Sequence, residues 1–144
     1  MNTIQTAAKL QLAPYIFFYG RCEEALEFYK TAIGGTYELQ RNSEAPPDMP
    51  SPSPEFRDKV MHSTFTGAGI TFMASDGREA KKIDPDAGNI SLSLAATDAA
   101  EGDRVFKALS DGGKVVHPLS EAFWGGRFGM LTDPFGNEWM IVSP

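Results

Sequence analysis

His62 is the sharpest candidate in this chain for a residue that does chemistry. It stands in VMHSTF, a strand-like run that turns back at Gly67-Ala68-Gly69. A hairpin closed by either Gly67-Ala68 or Ala68-Gly69 sets His62 opposite Met73 or Ser75. Those two share a face because strands alternate with period two, so His62 faces the same side in both registers. A neutral imidazole there could orient a substrate oxygen or shuttle a proton near pH 7. The competing role is a structural histidine bonded to a backbone carbonyl. Glu138 shares a face with Met140 by the same parity, one step from the final turn, where it either enters a site or reaches solvent. Asn89, Ser91 and Ser93 alternate ahead of the second helix. Small polar groups on an apolar wall fix the orientation of a ligand, or they make room for bulky side chains opposite. Phe123 and Trp124 lie in a Gly-rich loop, and a loop tryptophan can serve as a ligand platform or cover an edge. Cys22 opens a helix but has Glu23 and Glu24 beside it, and it reads as inert. His117-Pro118 reads as structural or solvent-exposed, outside the cleft, at the start of a loop over residues 117 to 126. The sequence offers no Ser-His-Asp or Cys-His set and no phosphate-cradling glycine loop.

These residues need elements to hold them. Leu12 to Tyr19 reads as a buried strand ended by Gly20. CEEALEFYKTAIGG follows as a helix with acids in its first turn and Gly34-Gly35 as its stop. Thr36 to Arg41 is a short strand, and Val60–Thr66 with Ile70–Ala74 make a hairpin. After a polar linker the pattern restarts: a strand Ile90–Ala95, a helix Ala99–Ser110 capped by Thr97 or Asp98, a stop at Gly112-Gly113, a strand from Val115, and a closing hairpin around Asp133-Pro134-Phe135-Gly136. The halves match in order. Phe28-Tyr29-Lys30 lies over Val105-Phe106-Lys107, and one hairpin lies over the other without gaps, with Gly69 on Gly136, Phe72 on Trp139 and Met73 on Met140. We read a duplicated βαβββ module: residues 11–75 first, 76–87 a linker, 88–144 second, within one domain.

Composition narrows the partners. Apolar residues make up 42% of the 144, enough for a packed interior, and the formal net charge of −6 disfavours nucleic acid. The single cysteine rules out an intrachain disulfide. MNTIQTAAKLQLAPYIFF does not read as a signal peptide, and no stretch is apolar enough to span a bilayer. The expectation is a cytoplasmic protein with no nucleic-acid or membrane partner. Residues 42 to 58 carry five prolines, restricted enough to order cheaply. They are expected to form a lid over the cleft mouth near His62.

Two βαβββ halves, with EEALEFYKTAIGG after the first strand and DPFGNEW in the last hairpin, resemble the vicinal oxygen chelate superfamily, the glyoxalase and bleomycin-resistance group. APYIFFYG, DKVMHSTF, FMASDG and FWGGRFGMLTDPFG together resemble its PhnB-like branch, often labelled by similarity to a demethylubiquinone methyltransferase. The resemblance runs from about Leu12 to Val142. It implies an α+β fold in which curved sheets of two tandem modules form a cleft. In metal-dependent members four ligands from first and last strands hold a divalent ion. Carried onto this chain, those slots fall near Pro14, Met73, Asn89 and Met140, none of them a good hard-metal ligand. The expectation is therefore a small-molecule-binding or metal-independent member with no cofactor and an unidentified, aromatic or hydrophobic ligand. Its cleft would draw on Phe18, His62, Met73, Asn89, Ser91, Trp124, Phe128, Glu138 and Met140, with His62 as the one catalytic candidate. The alternatives are a metal-dependent lyase, isomerase or dioxygenase using His62 with Glu138, and a non-enzymatic interaction protein. Relatives of this kind are often homodimers, and a homodimer is expected here.

Overall fold

The computed structural model describes residues 10–49 and 52–144. It contains two four-stranded sheets, each backed by one helix. The first module runs β1 (Tyr15–Phe17), α1 (Cys22–Ile33), β2 (Thr36–Arg41), β3 (Val60–Gly67) and β4 (Ile70–Ser75). The second runs β5 (Leu92–Ala95), α2 (Ala99–Ser110), β6 (Lys114–Glu121), β7 (Arg127–Thr132) and β8 (Glu138–Ser143). The strand orders are β1-β4-β3-β2 and β5-β8-β7-β6. In each module the first strand pairs parallel to the last and the other neighbours are antiparallel. The two sheets do not close into a barrel, and among the described residues no helix is long and apolar enough to cross a membrane.

Both helices form because their apolar residues fall on one stripe. In α1, Ala25, Leu26, Tyr29 and Ala32 are buried, and Asp98 caps α2 by accepting the amide of Glu101 at 2.8 Å. The double glycines do the same work twice. Gly34 and Gly112 take positive φ values of 78° and 80° to end their helices. Beside them, a Cβ on Gly35 would sit 2.7 Å from the carbonyl oxygen of Thr66, and one on Gly113 would sit 2.1 Å from that of Thr132. No larger residue fits at either place, so the repeated Gly-Gly marks two equivalent helix-to-strand crossings.

The helix-facing sides of both sheets share one core. Phe135, in the turn of the last hairpin, meets Phe18, Phe28 and Tyr29 of the first module with ring centroids 5.5 to 6.0 Å apart. Arg104 of α2 donates to the carbonyl of Ala32 at the end of α1 (3.2 Å). Asp133 accepts from the amides of Phe135 (2.9 Å) and Asn137 (3.1 Å), as expected of a turn cap.

Three expectations need correction. β1 is confined to Tyr15–Phe17: Pro14 has no N–H to give a ladder, and Tyr19 takes φ 51° at the turn. β6 continues to Glu121 through the segment expected to be a loop. It is an edge strand whose register shifts between Val115 and His117 and again between His117 and Ser120, and such irregularities accommodate Pro118. Asp76 belongs to the first module rather than the linker, for it is 1% exposed and accepts three backbone amides there. The described part of the Pro-rich segment makes no hydrogen bond to His62 or Tyr15, and Pro46, Pro47, Asp48 and Met49 are exposed. Its described part has short 3-10 turns at Asn42–Glu44 and Pro54–Phe56, and Asn42 bonds the carbonyl of Phe56 (2.8 Å). Arg41 and Lys59 at its two ends bond Glu23 and the carbonyl of Gly20 at the start of α1. The two ends of the segment are thus tied to the start of α1.

Candidate functional site

Each sheet has one face against its helix and one face uncovered. In the first sheet, register puts Tyr15 beside Met73, Phe17 beside Ser75, and Met73 opposite Thr64. His62 is two residues from Thr64 on β3 and therefore shares that face, opposite Ser75 by continuation of the register. The Tyr15 hydroxyl lies 3.2 Å from His62 Nδ1, and the two rings are 5.8 Å apart. Tyr15 also packs on Phe17 at 5.2 Å, and both rings remain more than 40% exposed. The result is an open aromatic platform with a coupled phenol and imidazole at its edge, able to pass or accept a proton at a ligand oxygen.

In the second sheet, Ser93 stands beside Met140, Met140 opposite Met130, and Glu138 opposite Thr132. Phe128 lies on the same face, with Trp124 edge-on to it at 5.7 Å and His117 at 5.7 Å. The Ser91 hydroxyl donates to Glu138. Where the modules meet, Tyr15, Phe17, Ile83, Leu92 and Glu138 line a groove of about 380 Å³ that joins the two faces.

The expected residues therefore divide. His62 and Met73 lie on the first face. Met140, Phe128 and Trp124 lie on the second, and Glu138 with Ser91 lies at the junction. Phe18 does not join them: it is 2% exposed, on the core side against Phe135 and Tyr29. Alternation explains this, since Tyr15 and Phe17 point away from the helix. Asn89 precedes β5 and is exposed rather than set in a strand. Two residues were missed. Tyr15 becomes the partner of His62 only through the parallel pairing of β1 with β4, which no local pattern displays. His117 was placed outside the site, yet it pairs with Met130 on the uncovered face; the bulges of β6 defeat simple counting. Cys22 is fully buried, with its thiol pushed up to about 12 by burial and by the charge of Asp76, which keeps it from acting as a nucleophile.

A family model described as 3-demethylubiquinone-9 3-methyltransferase matches residues 10–142 of this chain. The chain belongs to that family. Protein YjdN of Escherichia coli is 29% identical to it over 140 residues, across 92% of this chain and 94% of that protein. The crystal structure of protein PA1353 from Pseudomonas aeruginosa is similar at 36% identity and a TM-score of 0.79, covering 94% of this chain and 98% of that one. A Bacillus cereus structure described as a putative 3-demethylubiquinone-9 3-methyltransferase, PhnB protein, is similar at 26% identity and a TM-score of 0.75, covering 94% and 100%. A member of the glyoxalase/bleomycin resistance protein/dioxygenase superfamily from Sphaerobacter thermophilus shares the fold at 19% identity and a TM-score of 0.53, covering 95% and 100%. The protein is PhnB-like, and it shares the fold of the glyoxalase/bleomycin resistance protein/dioxygenase superfamily.

For this PhnB-like protein the superfamily's metal positions can be tested against the side chains present. Pro14 uses its carbonyl to accept the amide of Met73 (2.9 Å), Met73 and Met140 present thioethers, and Asn89 stands apart from the strand. Among the described residues no three His, Cys, Asp or Glu side chains converge. His62 and Glu138 lie on different sheets, with Tyr15 and Ser91 as their respective partners. This donor set does not fit a hard divalent ion.

Proposed function

We propose that this PhnB-like protein binds a flat, largely apolar small molecule on the uncovered faces of its two sheets, without a metal. The observation that carries this reading is the composition of those faces. Tyr15, Phe17, Met73, Met140, Phe128 and Trp124 supply apolar and aromatic area on faces that also carry Thr36, Glu38, Gln40, Thr64, Thr66, Thr71, Ser93 and Thr132, and the hydrogen-bonded pairs Tyr15–His62 and Ser91–Glu138 stand beside the rings. A wall of that kind binds by burial and orients by a few directed bonds. His62 is the residue positioned to exchange a proton with a ligand oxygen, through or beside the Tyr15 hydroxyl. If the bound molecule is turned over, this pair carries the acid-base step.

A second copy of the chain is the natural cover for the exposed rings of Tyr15, Phe17 and Trp124, because monomers seldom leave such area to water. The reading therefore includes a homodimer whose two copies close the open faces into a cleft. Methyl transfer, named in the family's description, is the competing activity and can be tested in the same experiment.

That experiment is calorimetric titration of the protein with a panel of planar aromatics, quinones among them, followed by S-adenosylmethionine. The expected result is micromolar binding of at least one planar compound, weakened about tenfold or more in His62→Ala, with the melting temperature unchanged. Failure of the whole panel, or binding indifferent to both His62→Ala and Met140→Glu, overturns the reading. Methyl transfer to a quinol in the presence of S-adenosylmethionine replaces it with the competing one. Sedimentation at tens of micromolar tests the dimer, and a monomer mass at that concentration removes it.

A further inference from the structure

A second cavity, of about 510 Å³, lies beneath the linker, bounded by the turn of the last hairpin and the start of β6. Its chemistry differs from that of the uncovered faces. Arg21 from the start of α1, Lys81 and Lys82 from the linker, and Lys114 from β6 all line it. Four cations at one cavity stand out in a chain of net charge −6. Two have partial partners. Arg21 pairs with Glu24 at 2.9 Å and lies 4.5 Å from the ring centroid of Phe135, and Lys81 lies 5.2 Å from that of Tyr19. Lys82 and Lys114 take part in none of the salt bridges among the described residues.

Three acids also reach this cavity and keep their charge, but none of them pairs with Lys82 or Lys114. Asp133 spends both oxygens on inward donors: the amides of Phe135 and Asn137, the indole of Trp139 and the Tyr29 hydroxyl. Glu138 accepts the Ser91 hydroxyl. Asp86 is the remaining acid and sits exposed in the linker. The apolar walls are Phe18, Phe135, Ile83 and Pro134. Ile83 is seated on the hairpin turn, where a Cβ on Gly136 would come within 2.9 Å of its Cγ2. The linker is thus packed down over the cavity, which carries its two lysines to the rim.

We infer that this cavity binds an anionic small molecule with an aromatic body, its phosphate or carboxylate held by Lys82 and Lys114 and its ring against Phe135 and Ile83. The volume lies within the range of small-molecule sites, well beyond a bare inorganic ion. A charge-assisted contact from an ammonium to an oxyanion supplies the directed part of the affinity. The inference goes beyond the reading of the uncovered faces and does not depend on it.

Phenyl phosphate and benzoate are the probes, with phenol as the neutral control, each titrated into the full chain by calorimetry. One of the anions is expected to bind, phenol not to bind measurably, and binding to weaken as salt rises. Phenyl phosphate alone assigns a phosphate site, benzoate alone a carboxylate site, and both together a general oxyanion site. The double variant Lys82→Gln/Lys114→Gln should lower affinity at least about tenfold. Both lysines are exposed, so its melting temperature should match the parent and separate lost binding from lost folding. His62→Ala should leave binding of the anions unchanged, which keeps this site distinct from the uncovered faces. Absence of binding by both anions, equal binding of phenol, or indifference to the double variant overturns the inference.

Discussion

Asp76 in the first module and Asp133 in the second are almost fully buried, at 1% and 2% exposure, and they are satisfied by different donors. Asp76 accepts the amides of Gly20 (2.7 Å) and Cys22 (2.8 Å) on one oxygen and that of Val60 (2.8 Å) on the other. All three lie within its own module, where it pins the entry to α1 against the start of β3. Asp133 caps its own turn but also accepts Tyr29, which stands on α1 of the other module, and the indole of Trp139 (2.8 Å). The hairpin alignment sets Asp76 over Ser143 and Asp133 over Thr66, so neither carboxylate has a counterpart in the other half. The two modules kept the same backbone crossings and diverged in their buried charge. One carboxylate became a local staple and the other a joint between modules.

The sharpest way to break the comparison is to remove the joint. Asp133→Ala leaves a buried phenol, an indole N–H and two amides without an acceptor. It should cost roughly 3–5 kcal/mol, since each orphaned buried group costs about 1–3 kcal/mol and the site relaxes in part. Near-ultraviolet circular dichroism from Trp139 should collapse with it. Asp76→Ala orphans three amides and should cost somewhat less, about 2–4 kcal/mol. Hydrogen exchange distinguishes the two. Protection should fall around residues 20–22 and 60 in the Asp76 variant, and across both modules in the Asp133 variant. Equal spreading in both would show that the staple is also a joint.

This division was partly visible in the sequence. The helices, the hairpins and the double glycines were legible because period and punctuation are local. The turn role of Asp133 was legible for the same reason. Its bond to Tyr29 was not, because it spans 104 positions and depends on how the modules pack. Asp76 looked like the first polar residue of a linker, since its three donors are backbone groups that carry no side-chain signature. Phe18 was set on the wrong face by one position in the run Tyr15-Ile16-Phe17-Phe18, and one step inverts every side chain of a strand. His117 was misplaced because Pro118 suggests a break, whereas a bulged edge strand accommodates it. His62 and Met73 were placed on the uncovered face because a tight hairpin fixes parity. Tyr15, the partner of His62, stands 47 residues away and required the three-dimensional register.

A smaller effect sharpens the comparison through pH. Burial and the neighbouring Asp133 push the Tyr29 phenol well above its usual 10.0, and burial first, then Asp76, pushes the Cys22 thiol from 9.0 up to about 12. Each group therefore holds its proton more tightly in the folded state. Below the unfolded values both states are protonated and stability is unaffected. As pH rises, the unfolded chain ionises first and stability falls, from about pH 9 for the thiol and about pH 10 for the phenol. Cys22→Ala should flatten the decline between pH 9 and 12. Tyr29→Phe should remove the part above 10 and cost about 1–2 kcal/mol at neutral pH through its bond to Asp133. Urea denaturation at stepped pH reads both, and an unchanged alkaline slope in both variants removes the assignment.

The smallest effect on stability belongs to the uncovered faces, and there the modules can be compared as halves of one site. Tyr15 is 41% exposed and its bond to His62 is at the surface, so Tyr15→Phe and His62→Ala should each change stability by no more than about 0.5 kcal/mol. Ser91→Ala, on the other half, should change it by a similarly small amount, since Glu138 keeps access to water. Affinity for a planar ligand is where the halves should separate. If the Tyr15–His62 pair orients the ligand, its variants lower affinity about tenfold while Ser91→Ala stays within about twofold. If Ser91–Glu138 does so, the order reverses. Equal losses from both pairs would mean that one ligand spans both faces across the groove between β1 and β5. In that case Ile83→Ala, at the lip of that groove, should weaken binding as well, by loss of buried area and not of a hydrogen bond. Calorimetry with a single planar compound across these four variants decides among the three outcomes, because the three surface variants should leave the melting temperature nearly unchanged and Ile83→Ala, which loosens the linker on the hairpin turn, is read beside its own melting temperature.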